Sequence, residues 1–243
     1  MKKNIGKIFI CTSAVLLFAG IANAQNTAPF CERIVNHEDA VHADLDVAAQ
    51  SRTELEKEQD ERLALERARQ DDSFAAARLD TDAQFVKYVE TLRNKARKNV
   101  IKNSAIEAFE NAVITSRQTF RSAVADSIES FRESISEVIA ARREGFGKAE
   151  KNRRAQFDAA LEVAKNSCLR ENDASVTAAD DTLKTTLRGI RDGFRSEQAA
   201  VEDTARADHH QAIETRKNAL GAAREARKRA VEKAVELLRA AWK

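Results

Sequence analysis

The chain of 243 residues has one proline, Pro29, and seven glycines. Soluble proteins average about 5% proline and about 7% glycine. So few turn formers exclude a globular α/β domain of this size. Gly-rich phosphate loops, dinucleotide fingerprints and a Gly-x-Ser-x-Gly elbow are missing, as are a cysteine pair or helical His-x-x-x-His with metal-ligand spacing. No isolated carboxylate pair stands out for acid–base work. Charge of one sign is not in excess either: 41 Lys+Arg stand against 39 Asp+Glu, a formal net charge of +2. That balance excludes a globally basic nucleic-acid binder. Beyond residue 22 no apolar run approaches the roughly 20 residues that cross a bilayer.

What is present is a helical vocabulary: Ala, Glu, Arg, Lys and Leu dominate. Phe109, Phe120 and Phe131 are eleven residues apart, each followed four residues later by Val113, Val124 or Ile135. The step recurs at Phe74 and Phe85, and at Phe146 and Phe157, with Cys168 eleven further on. Eleven residues make three turns at about 3.67 per turn. The expected fold is all-α: an elongated antiparallel helical hairpin or three-helix bundle, coiled-coil-like with eleven-residue repeats, with one long rod as its rival.

Lys2, Lys3 and Lys7 precede the apolar run Ile8 to Ala22, and Ala22-Asn23-Ala24 has the small residues of a cleavage site. Residues 1–24 thus read as a signal peptide, and the protein as exported to the periplasm, cell envelope or exterior. An uncleaved N-terminal anchor is the rival. Residues 25–31 read as an extended leader. Residues 32–243 read as a single elongated helical domain with helices at about 32–98, 103–167 and 173–242. The asparagine-rich stretch 93–104 marks the first break, with Asn103 or Ser104 as the next cap; Asn166–Ser175 marks the second, with Asp173 or Ser175 as cap. Asp71-Asp72-Ser73 is a rival break. The step from Phe131 to Phe146 is fifteen, a four-residue insertion that coincides with Gly145 and Gly147 and suggests a bend. Gly189 and Gly193 suggest a close helix approach. The third helix is expected to use Val176, Leu183, Ile190, Phe194, Val201 and then mainly alanines (Ala212, Ala219, Ala223, Ala230, Ala234), ending on Leu237.

Two cysteines remain beyond the signal, Cys31 and Cys168. In an oxidising compartment an even count suggests one disulfide. Its midpoint falls on Asn99–Val100, inside the asparagine-rich break, which favours a hairpin over a rod. The hairpin then sets the C-terminus beside Asn99. Arg93, Lys95, Arg97, Lys98 and Lys102 would lie near Arg224, Arg227, Lys228, Arg229 and Lys233, with Trp242 suited to a membrane interface. That end sums to about +11, while residues 31–46 and 168–182 sum to about −7, a dipolar rod. These ten cations are candidate contacts for an anionic membrane or cell-wall surface. The plainer reading is that they complement helix C-termini.

His37, Glu38 and His42 do not share one face, and adjacent His209 and His210 point apart, so neither group reads as a metal site. A second basic cluster, Arg142 to Arg154, holds one aromatic, Phe146, and export argues against nucleic acid. The functional expectation is a non-enzymatic structural or interaction protein that binds protein partners or self-associates. It has no catalytic residue, metal, cofactor or small-molecule substrate. The alternatives are an anionic-surface binder and a holdase-type chaperone. Long exported helical hairpins occur among periplasmic holdases, but that similarity is architectural and carries no residue match.

Overall fold

The computed structural model describes residues 27–168 and 173–243; the side chains at 27–30, 33, 35–37 and 173–175 lie outside that description. The signal peptide expected at 1–24, the candidate ligand His37 and the candidate caps Asp173 and Ser175 fall outside it as well. The described residues form three α-helices and no strand: α1, Thr27–Ala96; α2, Val100–Cys168; and α3, Asp173–Ala240. Each is 68 to 70 residues long. Propensity alone does not hold helices together; their stability comes from a packed face.

α1 begins at Thr27, so most of the expected leader is helical. Pro29 lies in the first turn, where its missing N–H has no intrahelical partner to lose. Asp71-Asp72-Ser73 does not break α1, and α2 runs without interruption through Gly145 and Gly147. Asp71 pairs across to Arg132 of α2 at 2.7 Å.

Contacts divide the described chain into two units: the described part of Met1–Glu66 with Gln156–Gly189, and Arg67–Ala155 with Ile190–Lys243. In the first unit Ile34, Val41, Phe157, Leu161, Ala164 and Val176 are buried together, ringed by Leu45, Ala179, Leu183 and Leu187. Cys31 and Cys168 are joined there by the expected disulfide, with Cα atoms 5.8 Å apart. Nearby, Lys165 pairs with Glu38, and His42 Nε2 lies 3.2 Å from Asp158 Oδ1. The midpoint of each of these α1–α2 pairs falls between Asn99 and Lys102, so the two helices are antiparallel in one register.

The second unit has its own core of Val89, Ala96, Ile106, Phe109, Val113 and Leu238, with Ala234. Ile106 is fully buried, which contributes about 1.5–3 kcal/mol by transfer alone. Here α1 and α2 are joined by a ladder of ion pairs at eleven-residue steps: Asp71–Arg132 at 2.7 Å, Asp82–Arg121 at 2.6 Å and Arg93–Glu110 at 2.5 Å. α2 and α3 are antiparallel too. Arg216 lies over the Phe131 ring at 4.8 Å, Arg227 over Phe120 at 5.0 Å, and Arg153 over Phe194 at 4.5 Å. These pairs also step by eleven, or by two elevens, and centre within one residue of Asp173.

The seam of α2 matches the expected residues: Phe109, Val113, Ser116, Ala149, Phe157, Leu161 and Ala164 are buried, and Phe120, Val124, Phe131 and Ile135 half-buried. The end of α3 matches in part: Ala212 and Ala234 are buried and Ala223 is half-buried. Ala219, Ala230 and Leu237 are exposed, and the seam instead takes in half-buried Arg216, Leu220, Arg227 and Val231 and buried Leu238. In α1, Phe74 is exposed rather than in the seam. Phe74 instead borders a groove beside Phe120, Val124 and Ile128 of α2.

Candidate anion-binding surface

The α1–α2 turn is tighter than the asparagine pattern suggests. α1 ends at Ala96 and α2 starts at Val100. Asn99, not Asn103 or Ser104, is the cap: its Oδ1 accepts from the Lys102 N–H at 3.0 Å, three residues on. Asn103 instead donates from Nδ2 to the Arg97 carbonyl at 2.9 Å. Arg97 has φ of 51°, the left-handed region where glycine normally ends a helix. A non-glycine residue there costs about 1–2 kcal/mol.

This early start has one consequence for the surface. Val100 and Ile101 occupy the first turn of α2 and are 80% and 72% exposed. Lys95, Arg97 and Lys98 beside them are exposed. The C-terminal end of α3 does arrive here: Ala234 and Leu238 pack with Ala96 and Ile106, and Lys102 Nζ sits 5.4 Å from the Trp242 ring. Trp242 is half-buried against that cluster, so it anchors α3 rather than projecting. Lys228, Arg229 and Lys233 are exposed; Arg93 is tied to Glu110.

The structure separates the remaining two candidates from the turn. Arg224 and Arg227 border a groove of about 330 Å³ in the second unit. Its apolar floor is Phe74, Phe120, Val124, Ile128 and Leu220; its rim carries Arg78, Arg117, Arg121, Arg216, Arg224 and Arg227. No acidic residue lines it. Arg117 is 15% exposed and donates to Thr81 O and Asp82 Oδ1, and Arg121 donates to the same Oδ1. Arg78, Arg216, Arg224 and Arg227 have no carboxylate within ion-pair distance among the described residues. Buried Nε atoms of Arg117 and Arg216 have no hydrogen-bond partner. Burial pushes the Arg117 guanidinium below the usual arginine range. Asp82 opposes that shift, and the positive charges of Arg227 and Arg121 add to it. The groove therefore concentrates cations that repel one another.

Composition could not reveal this groove, because its arginines come from three helices. A guanidinium that lies over a ring also reads as surface in a hydropathy pattern. In the second basic cluster Arg142 pairs with Glu202 and covers Phe146, and Arg153 covers Phe194. His42 faces Asp158 and the Phe157 ring. His209 is half-buried and His210 exposed. Among the described residues no three His, Cys, Asp or Glu side chains converge for a metal, and no helix is long and apolar enough to cross a membrane.

The sequence matches no protein-family model, and no curated protein and no solved structure matches it.

Proposed function

We propose that this is an exported, non-enzymatic interaction protein whose α1–α2 turn docks on an anionic envelope surface such as lipid headgroups. The observation that carries this reading is the exposed pair Val100 and Ile101 inside a stretch, 93–103, with five cations and no anion. An apolar apex with a basic collar suits an interface that is negative outside and apolar beneath: each cation near such a surface contributes about 1 kcal/mol. A Val or Ile side chain that enters the acyl boundary adds about 1.5–3 kcal/mol. Arg97 fits the same reading, since glycine would be easier at its φ of 51° but would carry no charge.

The test is co-sedimentation with vesicles of phosphatidylcholine, with and without phosphatidylglycerol. Binding is expected only to the anionic vesicles, weakening as salt rises, and Ile101→Asp should reduce it about tenfold or more. Equal sedimentation of Ile101→Asp, or none by the native protein, overturns the reading.

A protein partner or second copy is the other reading, favoured by Leu79 and Val86, exposed and seven residues apart on α1. A concentration-dependent rise in sedimentation coefficient, abolished by Leu79→Lys, would support it over the lipid surface.

A further inference from the structure

The Arg-rimmed groove of the second unit is separate in composition from the turn and asks for a different ligand. Four of its six guanidiniums lack a carboxylate among the described residues, while Asp82 alone serves the other two. An unbalanced cluster of this kind is relieved by an anion. The fork of donors on each arginine suits a carboxylate or phosphate oxygen. The floor differs from that of a simple ion site: Phe74, Phe120, Val124, Ile128 and Leu220 present rings and branched carbons to the space between the cations. Phe74 is 40% exposed there, and no side chain of the described chain covers it to the extent seen at Phe109. The volume, about 330 Å³, is at the lower end for a small organic ligand.

We propose that this groove binds a single-chain amphiphile with an anionic head: its chain lies along Phe74, Phe120 and Leu220, and its head meets Arg78, Arg216 and Arg224. Fatty carboxylates and phosphate monoesters share this chemistry, and charge complementarity selects them over neutral or cationic chains. The proposal does not depend on the turn docking at a surface.

The experiment is calorimetric titration of the full chain with decanoate, decyl phosphate, decanol and inorganic phosphate, each kept below micelle formation. One of the two anionic amphiphiles should bind saturably at one per chain, and decanol and inorganic phosphate at least about tenfold more weakly. Which anionic amphiphile is tighter tells carboxylate from phosphate. Arg78→Gln/Arg224→Gln alters two exposed, carboxylate-free arginines and should weaken binding about tenfold with an unchanged melting curve. Phe74→Ser should weaken the amphiphile but leave inorganic phosphate as it was. Four outcomes overturn the proposal: no binding by either anionic amphiphile, equal binding by decanol, equal binding by inorganic phosphate, or an unaltered arginine double variant. Ile101→Asp should leave this titration unchanged, so failure here is distinguishable from failure of the turn to dock.

Discussion

Arg216 and Arg227 hold half-buried seam positions although both are charged. Each lies over a phenylalanine of α2, at 4.8 and 5.0 Å from the ring centre. The methylene stem packs while the guanidinium faces the ring, a contact of about 0.5–2 kcal/mol. A seam read by hydrophobicity skips such residues and substitutes the nearest alanines, which is why Ala219 and Ala230 were expected and are exposed. Gly145 makes the opposite point. A Cβ built there would lie 2.8 Å and 3.0 Å from the two γ-carbons of Val201. Glycine is thus needed for close approach of α2 and α3, not for a bend. Gly189 and Gly193, expected to play that part, have nothing within 4 Å of an added Cβ. Gly145→Ala should destabilise by about 1–3 kcal/mol, the cost of overpacking beside a stiff β-branched side chain. Val201→Ala in the same chain should recover most of the loss. Urea denaturation of the two single variants and the double variant measures this; additive losses would mean that the clash is not the cause.

At the scale of the helix pair, the eleven-residue repeat carries charge as well as rings. Asp71, Asp82 and Arg93 on α1 face Arg132, Arg121 and Glu110 on α2. Glu38 and Lys165 continue the same count in the other unit. The last rung of the second unit reverses sign, so a shift of α2 by one repeat would oppose like charges. The ladder therefore selects register more than it stabilises, since solvent screens exposed pairs and leaves them little net energy. It also sets an acid response. The Asp82 carboxyl is held below its usual range first by the hydrogen bond from Arg121, and Asp71 likewise by Arg132. A depressed native value means that these groups stabilise above the ordinary aspartate range, and that the contribution is lost as pH falls through the lower native one. Thermal melting should therefore fall below about pH 4. Asp71→Asn/Asp82→Asn should melt lower than the native protein at pH 7 and converge on it in acid. A constant gap between the two at every pH would remove the ladder from the explanation.

For the whole chain, the largest single restraint is covalent. The Cys31–Cys168 bridge spans a sequence separation of 137 residues. A loop that long contributes about 5 kcal/mol in the chain-entropy view. The buried residues around it in the first unit are few, and no residue of α1 between Val41 and Val89 is buried. Non-reducing peptide mapping should recover Cys31 and Cys168 in one linked peptide within a chain. The double variant Cys31→Ser/Cys168→Ser should unfold at clearly lower urea than the oxidised protein, and reduction should bring the native protein to the same midpoint. An unchanged midpoint would show that packing alone holds α1 to α2.

The number of helices, their type, the α1–α2 pairing register and the disulfide were legible in the residues themselves. Each rests on a one-dimensional regularity: scarce Pro and Gly, a three-turn period, and one midpoint shared by two cysteines and a run of asparagines. The placement of the cap was harder, because Asn99, Asn103 and Ser104 lie within six positions and only hydrogen-bond geometry chose Asn99. Two things were decided by tertiary structure alone. One is the meaning of arginine, which is surface, ion pair or ring cover according to what the neighbouring helix places opposite it. The other is the groove, whose six arginines are scattered from residue 78 to residue 227 and share a rim only because three helices carry them there. Periodicity describes one helix at a time, and a site made by three helices exists only where their faces meet.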